Sequence, residues 1–509
     1  MTGGGLYVLI SYGSQNVIMS GNPQMTYYYK IFKRYSHFSM ENVSIALDGP
    51  NLLSVDSQIQ LRAKIQRIGD LMSDMYLTLA IPDIYSKYVD PTVRTYQYEF
   101  QWVKALGAAM INSVEFFIGG QSIQRFDGTY LYAKSLLEYD SVSLQKWNIL
   151  VGNTNELNTP NAGAFQTNSG TGPVYPTVRK NGTGAQTNRP SIFGQNIHIP
   201  LNFWFTDATS QALPLIALQY QDCEVVITLN PAQNLYTILD PTGNRVAPQY
   251  KSTSSFALNN PTYATTAEQT SIQNFLTDIG YTVPLTTWPL NPVLQCTFVY
   301  LSDEERITFA SRPLTYVLPQ LRMVPLGPVS ESSRTFDLDT ITNPVSRFLF
   351  VTRRSDWVQR NDFTNFTNWS TYPFAPSNFG SLVGPAYYGV SGLLIPNSQK
   401  DILKNVRVLC NGNEIQEQKP VDFLTKIYPY RYTTGSANAE IPIYTWALTS
   451  SKIQPSGSLN ASRVTNFQLE AMFYQLPVGA NYVYELTVYA ELINFLVIVS
   501  GSGAPKYVL

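Results

Sequence analysis

Chemistry in this 509-residue chain would have to start from few residues: two histidines, His37 and His198, three cysteines, Cys223, Cys296 and Cys410, and the acid run Asp303, Glu304 and Glu305. A catalytic histidine needs a nucleophile or an orienting carboxylate within reach, and neither histidine stands at a spacing that a triad motif uses. There is no Gly-x-Ser-x-Gly elbow and no Gly-Lys dipeptide, so neither an acyl-transfer turn nor a Walker A loop can be drawn. The cysteines fit no zinc spacing and are too few for a disulfide framework. Each lies in an apolar run, where a thiol reads as a small buried side chain. The acid run sits at a strand end leading into a linker and reads as solvated or paired with Arg306, not as an acid–base couple. No catalytic residue, metal or cofactor is expected.

Covalent modification is the other chemistry to weigh. Asn42, Asn181, Asn365, Asn368 and Asn460 stand in Asn-x-Ser/Thr sequons. Asn42 falls in a predicted strand, whereas Asn181, Asn365 and Asn368 fall in predicted outer loops and are the candidate glycosylation sites. The opening MTGGGLYVLISYGSQ has neither the basic front nor the cleavage site of a secretory signal, which argues against ordinary lumenal modification.

The elements that would carry any such residue are strands. In IQLRAKI (59–65), Ile59, Leu61, Ala63 and Ile65 face one way and Gln60, Arg62 and Lys64 the other; FQLEAMFY (467–474) and the end of PLNFWFTDATSQALPLIALQYQDCEVVITL (200–229) alternate in the same way. Helical pattern is confined to short stretches, chiefly 127–139 with Asp127 as N-cap. Eight strands are predicted in the first half: 38–47, 57–68, 75–81, 111–118, 122–126, 197–205, 217–229 and 294–301. The connections after the second, fourth and sixth are short, and those after the third, fifth and seventh (roughly 82–110, 127–196 and 230–293) are long. In an antiparallel arrangement every second connection emerges at one end, so the long ones gather there; eight strands with that polarity suit a jelly roll.

The second half repeats the scheme. VEFFIGGQSIQ (114–124) parallels VRVLCNGNEIQ (406–416), IHIPLNFWF (197–205) parallels AEIPIYTWAL (439–448), and LQCTFVYLSDEERITFA (294–310) parallels YELTVYAELINFLVIVSG (484–501). The expected fold is all-β: two consecutive eight-stranded antiparallel jelly rolls, with long loops at one end and a few short helices. The expected division is an arm at 1–35, a first roll at 36–310, a second at 311–502 and a tail at 503–509.

Composition narrows the partners. Charged residues make up 14% of the chain, against roughly 25% in an average globular protein. The 34 basic and 35 acidic side chains leave no basic field to draw in nucleic acid, so no direct nucleic-acid binding is expected. The apolar run at 484–501 holds Glu485 and Glu491 and is too short between charges to span a bilayer. Leu6, Tyr7, Val8, Leu9 and Ile10, followed by the basic Lys30, Lys33 and Arg34, could lie against a membrane or a partner protein.

Several separated motifs resemble one family. GGGLYVLISYGSQNVIMSGNPQMTYYYKIFKRYSHFSME (3–41), IPLNFWFTDATSQALPLIALQYQDCEV (199–225), YLSDEERITFA (300–310), NPVSRFLFV (343–351) and PSGSLNASRV (455–464) are similar, in order and spacing, to the double jelly-roll major capsid proteins of nucleocytoplasmic large DNA viruses. Thr465 departs from the family's usual Asp after the Ser-Arg motif. The resemblance implies a homotrimeric capsomer of pseudo-hexagonal outline that tiles an icosahedral shell, with contacts to neighbouring capsomers and to minor capsid and penton proteins. It also implies an arm on the inner side that touches minor proteins or an internal membrane, and assembly in the cytoplasm of the infected cell. A sugar-binding β-sandwich, using Trp357, Phe363 and Trp369, is the competing class; it would need paired carboxylates or a calcium site that the sequence does not present.

Overall fold

The computed structural model describes residues 3–11, 13–86, 100–160, 190–239, 245–248, 271–276, 287–369, 397–435, 440, 441–449, 454–480 and 482–507, together with short ladder fragments at 167–168, 172–173, 388–389 and 392–393. Two units separate, Met1–Ser39 and Met40–Leu509. The smaller contains a helix, α1 (Gly4–Ser11), a shorter helical turn at Val17–Ser20, and turns and irregular chain beyond it.

The larger unit is built on sixteen strands in two sets. The first comprises β1 (Phe38–Ala46), β2 (Ile59–Ile65), β3 (Leu71–Ile81), β4 (Ile111–Ile118), β5 (Gln121–Phe126), β6 (Gln195–Pro200), β7 (Cys223–Leu229) and β8 (Val293–Leu301). The second comprises β9 (Leu314–Val329), β10 (Ser333–Asp337), β11 (Pro344–Arg354), β12 (Leu403–Cys410), β13 (Asn413–Pro420), β14 (Ile443–Thr445), β15 (Phe467–Phe473) and β16 (Tyr484–Val499). The first set forms sheets ordered β1-β8-β3-β6 and β2-β7-β4-β5; the second forms β9-β16-β11-β14 and β10-β15-β12-β13. Numbered within its own set, each sandwich therefore has strand order 1-8-3-6 over 2-7-4-5, the jelly-roll order. The pairings are antiparallel.

Side-chain alternation explains these elements. In β2 the odd positions from Ile59 to Ile65 are buried and the even ones exposed, as the period-two pattern predicts. Leu61, Phe116 and Val225 on one sheet face Leu77, Ile197 and Phe298 on the other. Val406, Phe467 and Leu469 meet Phe348, Phe350 and Val488 in the second sandwich. Each such side chain contributes about 1.5–3 kcal/mol on leaving water. The two tight hairpins sit at matching places: Gly119 and Gly120 join β4 to β5, and Asn411 and Gly412 join β12 to β13. All four have positive φ, the backbone of a two-residue hairpin turn.

Some boundaries differ from the sequence expectation. Strand β3 begins at Leu71, not 75, because Ser73 is an extra residue where the register against β8 shifts, with Thr297 opposite Asp74 and Phe298 opposite Met72. That bulge breaks the alternation. Strand β6 stops at Pro200, and Trp204–Thr206 is a turn of 3-10 helix, although Leu201, Phe203, Trp204 and Phe205 remain in the core. Strand β7 starts at Cys223, after a further 3-10 turn at Leu215–Ala217. The predicted linker after 303 is a helix, α3, once α2 (Gly128–Glu138) is counted; α3 spans Asp303–Ser311. Ser502–Pro505, all but its first residue expected in the tail, folds back as a strand on β16.

The long connections of the first sandwich meet one another. Ile84 N donates to Ile192 O at 2.9 Å, Tyr85 N to Phe275 O at 2.7 Å, and the segment Phe100–Trp102 forms a ladder with Tyr236–Leu239. The Phe100 and Tyr236 rings stack at 4.7 Å. In the second sandwich, Asn361, just past β11, donates through Nδ2 to Gln233 O at 2.7 Å and Tyr236 O at 2.8 Å. Four long connections thus share one end of this unit in their described portions.

Candidate functional site

Helix α2, which follows β5 of the first sandwich, packs on strands β11 and β16 of the second. Asp127 starts it: one carboxylate oxygen accepts from Tyr130 N at 2.8 Å, and the other accepts from the Tyr489 hydroxyl at 2.6 Å. Gly128 is required, since a Cβ there would stand 1.9 Å from Ala108 O. One turn on, the Tyr130 hydroxyl donates to Glu491 Oε1 at 2.8 Å. Arg347 of β11 grips the same carboxylate with two bonds, Nε to Oε2 at 2.9 Å and Nη2 to Oε1 at 2.6 Å, and reaches Glu138 Oε1 at 2.8 Å. Arg347 is 3% exposed. Further along, Gln320 Nε2 donates to Ile123 O at 2.9 Å, and Asn494 Nδ2 to Gln320 Oε1 at 2.8 Å. Gly435 N donates to Leu137 O at 2.8 Å, closing the other end of the helix.

The electrostatics follow from burial. Desolvation alone would lower the Arg347 guanidinium, but Glu491 and then Glu138 outweigh it and hold the group well above its ordinary value, so it stays charged. Burial, reinforced by Glu491, pushes the Tyr130 hydroxyl far up. Burial raises the Asp127 carboxyl despite the Tyr489 bond. Nearby, Arg353 donates to Phe363 O at 2.7 Å and lies over the rings of Trp357, Phe366 and Phe363 at 4.6, 5.0 and 5.4 Å; burial lowers its pKa. A cavity of about 50 Å³ runs along the seam, its mainly apolar wall (Phe126, Val317, Leu492) interrupted by the polar Gln320, Arg347 and Glu491. The Tyr130 and Tyr489 hydroxyls that meet carboxylates here are held protonated by burial. What it can do is lock two sandwiches into one body.

The residues singled out from sequence are scattered. His198 Nδ1 lies 2.9 Å from Thr78 Oγ1 across the β6–β3 ladder, and His37 immediately precedes β1. The three cysteines are buried and free, and burial pushes Cys223 and Cys296 up to about 12. Asp303 stands 3.8 Å from Arg306, which reaches Asp70 at 3.1 Å. No cluster of three His, Cys, Asp or Glu fit to hold a metal occurs among the described residues. Leu6, Tyr7, Val8, Leu9 and Ile10 lie exposed on α1, and Lys30, Lys33 and Arg34 on exposed irregular chain.

Two of the glycan candidates need correcting. Asn368 is 0% exposed, and its Nδ2 donates to the Tyr484 hydroxyl at 3.0 Å. Asn365 is buried, with Nδ2 donating to Asp362 Oδ2 and Trp369 O. Both amide nitrogens are spent on packing the start of the long connection, which leaves no room for a sugar. Asn181 lies outside the described residues. The aromatic residues of that connection point the same way: Trp357 and Phe363 cover Arg353 instead of forming a displayed sugar platform. The seam itself was missed. Its signal was Glu491, a charge inside an otherwise apolar alternating strand, which demands a buried partner.

Two jelly rolls of identical strand order, fused through a buried polar seam, define a double jelly-roll protein. Residues 26–263 match the family described as major capsid protein N-terminus, and residues 305–504 the family described as large eukaryotic DNA virus major capsid protein. The chain is 23% identical to the major capsid protein of Phaeocystis pouchetii virus and 24% identical to that of Paramecium bursaria Chlorella virus 1, each over 99% of both chains. Among solved structures, VP54 of PBCV-1 superposes with a TM-score of 0.65 at 18% identity, covering 95% of this chain and 100% of that one. The Faustovirus major capsid protein superposes at 0.62 and 14% identity, covering 96% and 94%. The chain belongs to the family of major capsid proteins of large eukaryotic DNA viruses.

Proposed function

We propose that this chain is the main shell subunit of a large double-stranded DNA virus, three copies of which associate as a pseudo-hexagonal capsomer that tiles an icosahedral capsid. The carrying observation is the repeated 1-8-3-6 over 2-7-4-5 strand order, held rigid by the Arg347–Glu491–Glu138 seam. Two similar sandwiches per chain supply six per trimer, which approximates sixfold symmetry with three identical molecules. A tile needs internal rigidity, and the seam provides it. Low charge and high aromatic content suit obligate interfaces, which bury roughly 2,000–5,000 Å² and are more apolar than transient ones.

On this reading the residues that structure each roll fall at 36–310 and 311–502, those at 1–35 form a separate arm, and the long connections face out. The protein works as a building unit and turns over no substrate. Its location is the virion shell, reached after assembly in the host cytoplasm, beside neighbouring capsomers and minor proteins. Sedimentation velocity and negative-stain microscopy of the purified chain test it. Uniform trimers with a six-cornered outline are expected; a monomer at micromolar concentration would refute the reading.

A further inference from the structure

The amino-terminal unit buries almost nothing of its own. In α1, Leu6, Tyr7, Val8, Leu9 and Ile10 are between 59% and 75% exposed. Five consecutive residues step around a helix by about 100° each, so these side chains cover every face of it. A helix made to dock in a protein groove carries one apolar stripe and a polar back. GGLYVLIS has no charged residue at all. Val17, Ile18 and Met19 follow on the next turn, also exposed.

The chain then changes character. Tyr27, Tyr28, Tyr29, Phe32 and Tyr35, all exposed, interleave with Lys30, Lys33 and Arg34. Aromatic rings with a polar edge and long cationic side chains are the residues that settle at the headgroup level of a bilayer. No acid precedes Glu41, although the whole chain carries 35 acidic side chains against 34 basic ones. Within this unit three cations therefore stand against no carboxylate.

We infer that the unit at residues 3–39 docks on an anionic lipid surface, with α1 inserted shallowly among the acyl chains and Lys30, Lys33 and Arg34 on the headgroups. All-round apolarity favours lipid over a protein groove, and the one-signed charge selects anionic headgroups. Eight residues rise about 12 Å, far short of the hydrocarbon core, so the helix embeds without crossing. No helix among the described residues is long and apolar enough to span. The inference rests on the shell-subunit reading for its setting but not for its test.

That test is flotation of the full-length chain with vesicles of phosphatidylcholine alone and of phosphatidylcholine mixed with phosphatidylserine, alongside sedimentation velocity. Binding to the phosphatidylserine vesicles is expected, weakening as salt is raised. Replacing Lys30, Lys33 and Arg34 together by Gln should cut it about 100-fold, at about fivefold per cation. Leu9→Asp with Ile10→Asp should abolish it while leaving the oligomer intact. Equal binding to both vesicles, unaffected by the Gln variant, would overturn the inference, as would absence of binding. Dissociation of the oligomer on Leu9→Asp with Ile10→Asp would also overturn it, by assigning α1 to a second copy of the chain. Vesicle binding by a chain that never forms trimers would instead sink the shell reading and leave this one standing.

Discussion

At the scale of single residues, the seam concentrates risk. Arg347 neutralises Glu491 and Glu138 where water cannot. Arg347→Met should cost about 3–5 kcal/mol in urea unfolding, because two carboxylates lose their partner inside the protein. Adding Glu491→Gln and Glu138→Gln should return much of that loss, since no net charge is then left buried. Two aspartates should show opposite pH behaviour. Burial works to raise the Asp356 carboxyl, but Arg360 and Arg354 outweigh it and hold the group below its ordinary value. Its stabilisation is therefore present above the unfolded value, about 3.9, and lost as pH falls through the lowered one. Asp356→Asn should be clearly less stable at pH 7, with the gap closing in acid. Asp127 is raised, so the parent protein loses stability as pH climbs from about 3.9 through the raised value. Asp127→Asn keeps a capping side chain and should gain relative to the parent across that window.

At the scale of elements, the hairpins test how far the sequence could be read. Gly-Gly and Asn-Gly between alternating runs announce a tight turn, and both turns appear with positive φ throughout. At Gly412 a Cβ would meet nothing within 4 Å, so Gly412→Ala carries only the conformational penalty, about 1 kcal/mol by thermal unfolding. The strands β2 and β15 were equally plain, because one face is wet and one dry. Legibility failed where tertiary structure overrides local pattern. Ser73 is a bulge specified by its partner strand, and Leu201 to Phe205 are core residues on irregular backbone, which the period-two rule reads as strand. The sequons at Asn365 and Asn368 could not reveal that their amides are spent inside the fold: Asn365 turns back on its near neighbours Asp362 and Trp369, and the Tyr484 hydroxyl that binds Asn368 lies 116 residues away. Arg347, Glu138 and Glu491 are likewise distant in sequence, and no spacing rule connects them.

At the scale of the whole molecule, the larger unit should behave as one cooperative body. Core residues of the first sandwich are continuous with Leu349, Tyr489 and Leu496 of the second. Calorimetry of the parent protein should give a single transition, and Arg347→Met should broaden it or split it in two. A fragment starting at residue 311 would expose Tyr489, Glu491 and Arg347 together, and it should be insoluble when made alone. The buried thiols report the same cooperativity. With Cys223 and Cys296 pushed up to about 12, labelling at pH 8 should wait for global unfolding.

Strand β9 lies at the margin of its sheet, sixteen residues long, with Pro319, Pro325 and Pro328 along it. A ribbon of that length with a full row of donors would be a template for uncontrolled stacking between newly made molecules. Proline cannot donate, so the three rings interrupt the template at intervals. In a dense pool of newly made copies, the gaps in that row keep neighbouring edges from zipping together and seeding fibres.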